Sequence, residues 1–83
     1  MESTDLIKVN ILLHCLSANY SGEVQIPADL TVREAVIYFA AQRNVPLTEH
    51  FALICMVGGR RISEKESLSE GDRLEAYQIL GGG

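Results

Sequence analysis

The chain has 83 residues, 47% of them apolar and 22% charged, with two cysteines and a net charge of −4. That is the size of one compact domain, which excludes an enzyme carrying its own cofactor domain. A domain this small buries only about 60–65% of the surface its unfolded chain exposes, so one small core has to hold it together. Seven Lys and Arg scattered among eleven Asp and Glu exclude the concentrated basic surface that nucleic acid requires. No run approaches the ~20 apolar residues of a membrane span. Met1-Glu2-Ser3-Thr4-Asp5 is acidic where a secretory signal is basic, so the expectation is a cytoplasmic protein without a membrane partner.

In chain order, Leu6 to Leu16 is dense in aliphatic residues, and Ile7, Val9, Ile11, Leu13 and Cys15 form an apolar row of period two, which predicts a long first strand. Turn chemistry in 17–22 and renewed alternation from Glu23 to Pro27 predict a hairpin with Val24 and Ile26 on the apolar side. Thr31-Val32-Arg33-Glu34 has the spacing of a capping box, so a helix starts there. Val32, Ala35, Val36, Phe39 and Ala40 make its apolar stripe, and Asn44 and Pro46 end it after roughly three turns.

The continuous apolar run Phe51 to Val57 predicts a buried strand, Gly58-Gly59 a turn, and Arg61-Ile62 a short strand. Leu68 anchors the connection that follows. Glu70-Gly71-Asp72 is a turn signal, and Arg73 to Leu80 is the last strand with Leu74 and Ala76 facing inward. The order is ββαββ in an α+β fold. A mixed sheet of four to five strands packs on one main helix, with the first and last strands paired in parallel at its centre, which is the β-grasp arrangement. Residues 1–5 are expected to be a flexible N-terminus, 6–80 the domain and 81–83 a flexible tail.

The tail is Gly81-Gly82-Gly83. Three consecutive glycines at one chosen site occur by chance about 3 times in 10,000, so their position draws notice. Without Cβ atoms such a tail threads a channel that any side chain would block, and it presents a carboxylate to chemistry held elsewhere.

From Leu6 to Gly83 the sequence resembles the ubiquitin-like β-grasp superfamily, and its last third is most similar to the MoaD and ThiS sulfur carriers. The resemblance rests on Gly58-Gly59-Arg60-Arg61, on Leu68-Ser69-Glu70-Gly71-Asp72-Arg73-Leu74-Glu75, and on Gly82-Gly83. It implies that a ubiquitin-activating-type adenylating enzyme, using ATP and magnesium, attaches AMP to Gly83. Sulfur then gives a thiocarboxylate, or an enzyme cysteine a thioester. The chain would be a carrier and not an enzyme, with no cofactor of its own. Its partners would be the activating enzyme and either a sulfurtransferase or synthase subunit, or lysine-bearing conjugation targets of a protein modifier. Gln78-Ile79-Leu80 before the glycines, apolar where ubiquitin has arginines, leans toward sulfur transfer, and with only two lysines, Lys8 and Lys65, chain building through lysine would have at most two internal acceptors plus the N-terminus. A third reading is a ubiquitin-like interaction domain with an incidental tail. The sequence leaves these open.

Strand parity places Tyr77 and Ile79 on the face away from the helix, beside Leu12 and His14, with Ala52, Ile54 and Met56 as further members. Leu12, His14, Ile54, Tyr77 and Ile79 are therefore the expected docking residues. His14, His50, Cys15 and Cys55 lack the close spacing of a metal site, and both cysteines read as small core hydrophobes. Glu64, Glu66, Glu70, Asp72 and Glu75 read as a solvated acidic face, with steering toward a basic partner as the alternative. Arg60-Arg61 reads as surface.

Overall fold

In a computed structural model of the chain, the structure describes residues 5–15, 18–47 and 51–80. Five strands and one helix follow in the order β1 (Leu6–His14), β2 (Asn19–Pro27), α1 (Val32–Arg43), β3 (Phe51–Val57), β4 (Arg60–Ile62) and β5 (Arg73–Leu80). They build one mixed sheet of spatial order β2-β1-β5-β3-β4, in which β1 and β5 are parallel and every other neighbour is antiparallel. This is the ββαββ β-grasp arrangement.

The helix starts where its capping box places it. Thr31 Oγ1 accepts from the Glu34 N–H at 3.2 Å, and Glu34 Oε1 accepts from the Thr31 N–H at 2.9 Å. It ends at Asn44 in the left-handed region, φ 55°, with the Asn44 N–H turned back to Ala40 and Ala41 carbonyls. Its stripe Val32, Ala35, Val36, Phe39 and Ala40 is fully buried on Val9, Ile11, Leu13, Val24, Ile26, Leu53, Cys55, Leu74 and Ala76 of the sheet. Gly58 and Gly59 both have positive φ, the backbone that a two-residue hairpin loop between paired Val57 and Arg60 demands.

The structure corrects the sequence reading at the first hairpin. β2 begins at Asn19, and Tyr20, Ser21 and Gly22 lie in the strand, paired with Leu13, Leu12 and Ile11. Beyond the end of β1 at His14, the Cys15 N–H donates to the Ala18 carbonyl at 2.9 Å, directly before β2. β1 is nine residues long and each exposed main-chain group on it needs a partner, so ladder bonding overrides the turn preference of Asn, Ser and Gly. Cys15 accordingly lies past the end of β1, half-buried, whereas Cys55 is buried inside β3; neither is in a disulfide. At the other end of β1, the Asp5 carbonyl accepts from the Ala28 N–H at 2.8 Å, so Asp5 is held to the sheet margin. Residues 1–4 and 81–83 of the expected terminal segments lie outside the described residues.

The acidic residues of the β4–β5 connection, with Glu66 and Glu70 exposed as a solvated face requires, also act as main-chain acceptors. Glu66 Oε2 accepts from Ser63 N–H, Glu70 Oε1 from Lys8 N–H and Asp72 Oδ2 from Ser69 N–H, at 2.8, 3.0 and 2.8 Å. Glu64 bonds Arg33 and the Leu53 N–H. Four of the five carboxylates thus accept from main-chain N–H groups, two in the connection itself (Ser63 and Ser69) and two on strands (Lys8 of β1 and Leu53 of β3).

Two outcomes follow from the core. Phe39 is completely buried, and Phe39→Ala is expected to cost about 3–5 kcal/mol in urea denaturation. Burial, and after it the Glu64 carboxylate, push the Cys55 thiol up to about 11 from 9.0. Between those pH values the unfolded chain binds fewer protons than the folded one. The stability is therefore intact below pH 9 and lost as pH rises through 11. Wild type should lose about 2–3 kcal/mol more than Cys55→Ala across that interval; equal slopes would contradict the assignment.

Candidate docking face

The register of β1, β5 and β3 decides which side chains meet on the side of the sheet away from α1. One row across the sheet is Ser21, Leu12, Glu75, Met56 and Arg61; the next is Asn19, His14, Tyr77 and Ile54; the last is Ile79 and Ala52. All five expected docking residues therefore share one face, with Ala52 and Met56 as the parity argument placed them. The apolar character increases toward the end of β5, where the chain leaves the sheet at Leu80.

Tyr77 and Ile79 are 36% and 40% exposed, large for apolar side chains in a sheet centre. Leu12, His14 and Ile54 are half-buried between them. The His14 and Tyr77 rings stack at 4.3 Å between centroids and 7° between planes. His14 Nδ1 lies 3.2 Å from Asn19 Oδ1, within hydrogen-bond distance. Nε2 is shielded from solvent and has no partner among the described residues. The stack fixes the aromatic part of the face, which reduces the side-chain entropy a docking partner would have to remove.

Acidic and basic groups border the patch. Glu75 and Arg61 occupy the row of Leu12 and Met56, and Arg73 lies one row further, opposite Asn10. Among the described residues no group of three His, Cys, Asp or Glu side chains is placed to hold a metal ion. Gly81, Gly82, Gly83 and His50 lie outside the described residues, so the fold locates the tail only by the strand that leads to it. Among the described residues no helix is long and apolar enough to cross a membrane.

Neither models of known protein families nor curated protein sequences match the chain. Solved structures do. The ubiquitin of Caldiarchaeum subterraneum superposes over 95% of this chain and 100% of its own, with a TM-score of 0.62 and 17% identity. SAMP1 from Haloferax volcanii superposes over 92% of this chain and 99% of its own, with a TM-score of 0.63 and 18% identity. Haptocorrin in complex with Cbi contains the same shape in 26% of its chain, covering 95% of this one at a TM-score of 0.70 and 11% identity. The chain is ubiquitin-like in fold, a β-grasp protein. It matches two archaeal proteins of this class along nearly their whole length, whereas haptocorrin shares the fold as part of a larger chain.

Sequence reasoning located this face but missed the His14–Tyr77 stack. Their pairing depends on the parallel register of β1 and β5, which no local pattern prints. Tyr77→Leu is expected to lower stability by about 0.5–1.5 kcal/mol. It should also move the His14 ring-proton resonances downfield as the shielding of the tyrosine ring is removed; unchanged resonances would refute the stack.

Proposed function

We propose that the chain is a ubiquitin-like carrier whose C-terminal carboxylate, on Gly83, is activated by an ATP-dependent adenylating enzyme and converted to a thiocarboxylate for sulfur transfer in cofactor biosynthesis. The observation that carries this reading is the placement of Gly81-Gly82-Gly83 directly after the central strand of a ubiquitin-like sheet. The apolar face running to the same end of that strand supports it.

The chemistry follows from the poor acyl-donor character of a carboxylate. Its oxygen attacks the α-phosphorus of ATP, pyrophosphate leaves, and the resulting mixed anhydride has AMP as a leaving group. The outer sulfur of a sulfurtransferase persulfide then forms the C–S bond as the C–O bond to AMP breaks, and a second thiol of the partner enzymes cleaves the S–S bond, forming a disulfide and releasing the thiocarboxylate. ATP and magnesium belong to the partner enzyme, and this chain contributes a presented carboxylate and a docking surface. Leu12, His14, Ile54, Tyr77 and Ile79 are the residues that would seat the activating enzyme, and the cytoplasm is the compartment where ATP and reduced thiols coexist.

Conjugation to target lysines uses the same activated terminus and is the second reading, favoured by the end-to-end superposition on an archaeal ubiquitin. One experiment separates the two. The protein ending in Gly83 is co-expressed with a ubiquitin-activating-type adenylating enzyme from the same genome, and its mass is measured. Sulfur transfer predicts a gain of about 16 Da, one oxygen replaced by sulfur. Protein modification predicts higher-mass conjugates that vanish when Gly82 and Gly83 are deleted. Absence of both products with an active enzyme present would reject the carrier reading.

A further inference from the structure

The two margins of the sheet are closed by arginines from opposite ends of α1, and they are closed differently. At the β2 margin, Arg43 Nη1 and Nη2 donate to the carbonyls of Ser21 and Glu23 at 3.3 and 3.4 Å, and the guanidinium fills the space a side chain at Gly22 would need. At the other margin β4 is only three residues long and pairs with Cys55 to Val57, so among the described residues no strand lies beside β3 from Phe51 to Ile54 there. Side chains stand in for the missing strand. Arg33 Nη1 donates to the Phe51 carbonyl at 3.0 Å, and Glu64 Oε2 accepts from the Leu53 N–H at 3.3 Å. Arg33 and Glu64 are themselves paired at 2.8 Å.

A cleft of about 700 Å³ opens at this second margin. Its walls include Arg33, Arg61 and Lys65 against the single carboxylate of Glu64, and its floor includes Leu53 and Ile62. Three cations to one anion is a local reversal of charge on a chain whose net charge is −4. The Leu53 N–H and the Arg33 guanidinium form a ready-made carboxylate receptor, and the chain's own Glu64 occupies it. The Glu64 contact to Leu53 is long, and the Arg33 side chain is 38% exposed, so the resident carboxylate is held at a wet margin where ion pairs contribute little.

We propose that this cleft binds an extended acidic polypeptide segment alongside β3. A carboxylate of the segment takes the place of Glu64 on Leu53 and Arg33, its neighbouring acidic residues meet Arg61 and Lys65, and alternate aliphatic residues cover Leu53 and Ile62. Edge addition fits the site because main-chain bonds give affinity and alternating side chains give selectivity. Charge complementarity selects an acidic segment over a neutral one. The site is on a margin of the sheet, shares with the candidate docking face only Arg61 at its border, and is independent of the chemistry at Gly83.

The test follows the backbone amides of the isotope-labelled full chain while a blocked peptide, acetyl-Asp-Val-Glu-Val-Glu-amide, is added. Saturable shifts at Leu53, Arg61, Ile62 and Glu64 are expected. Glu64→Gln should tighten binding about threefold or more, because it removes the resident competitor charge. The double variant Arg61→Glu, Lys65→Glu should abolish the shifts while leaving thermal unfolding within a few degrees of wild type, both side chains being exposed. The proposal is overturned if those amides do not respond, or if the Asn/Gln analogue of the peptide shifts them equally. It is also overturned if acetate alone at the same carboxylate concentration reproduces the effect, which would mark a small-anion site, or if the response is confined to Ile54 and Tyr77.

Discussion

The parallel pairing of β1 with β5 is the constraint on which the rest of the molecule depends. These two strands are the second and third of five, and their inward side chains Val9, Ile11, Leu13, Leu74 and Ala76 are all at most 1% exposed. A parallel pair cannot be made by a tight turn, so the chain must travel through β2, α1, β3 and β4 before β5 arrives. The passage Leu68 to Asp72 delivers it in register. Leu68 is buried as an anchor, Gly71 has φ 84° and donates to the Lys8 carbonyl, and Glu70 accepts from the Lys8 N–H. The Asp72 carbonyl then accepts from the Asn10 N–H, so that Arg73 falls opposite Asn10 and Tyr77 opposite His14. A slip of one residue would turn Leu74 and Ala76 to solvent and send Tyr77 into the core.

That register explains why a Leu-x-x-Gly-Asp passage stands before the final strand in chemical terms. Glycine is needed for a positive φ, the acidic side chains for otherwise unpaired N–H groups, and the leucine for the core. It also sets which side chains share the outer face. The candidate docking residues come from three strands distant in sequence, and the same alignment that buries Ala76 exposes Tyr77 and Ile79 next to the end of β5.

Much of this was legible beforehand because the helix and the buried strands carry local chemistry. Thr31 and Glu34 fix one end of α1 and Asn44 the other, and the stripe between them needs only its spacing to be read. The β3–β4 hairpin is written in Gly58-Gly59. The early start of β2 was not legible, since Tyr20, Ser21 and Gly22 take strand geometry only because Leu12 and Leu13 need partners. The capping work of Glu64, Glu66, Glu70 and Asp72 was not legible either, because it joins residues as far apart as Lys8 and Glu70. The roles of Arg33 and Arg43 depend on where a helix end projects over a sheet margin, which is a tertiary fact.

Those two arginines change what the single helix is for. In a five-stranded sheet the outer strands are templates on which another chain can crystallise into a growing stack, and a small acidic protein has few residues to spare for shielding them. Here one element serves as lid and bolt together: its apolar stripe closes the core, and its first and last turns each send a guanidinium over a rim. A side chain at Gly22 would therefore do its damage indirectly, by unseating Arg43 and unfastening a border of the sheet.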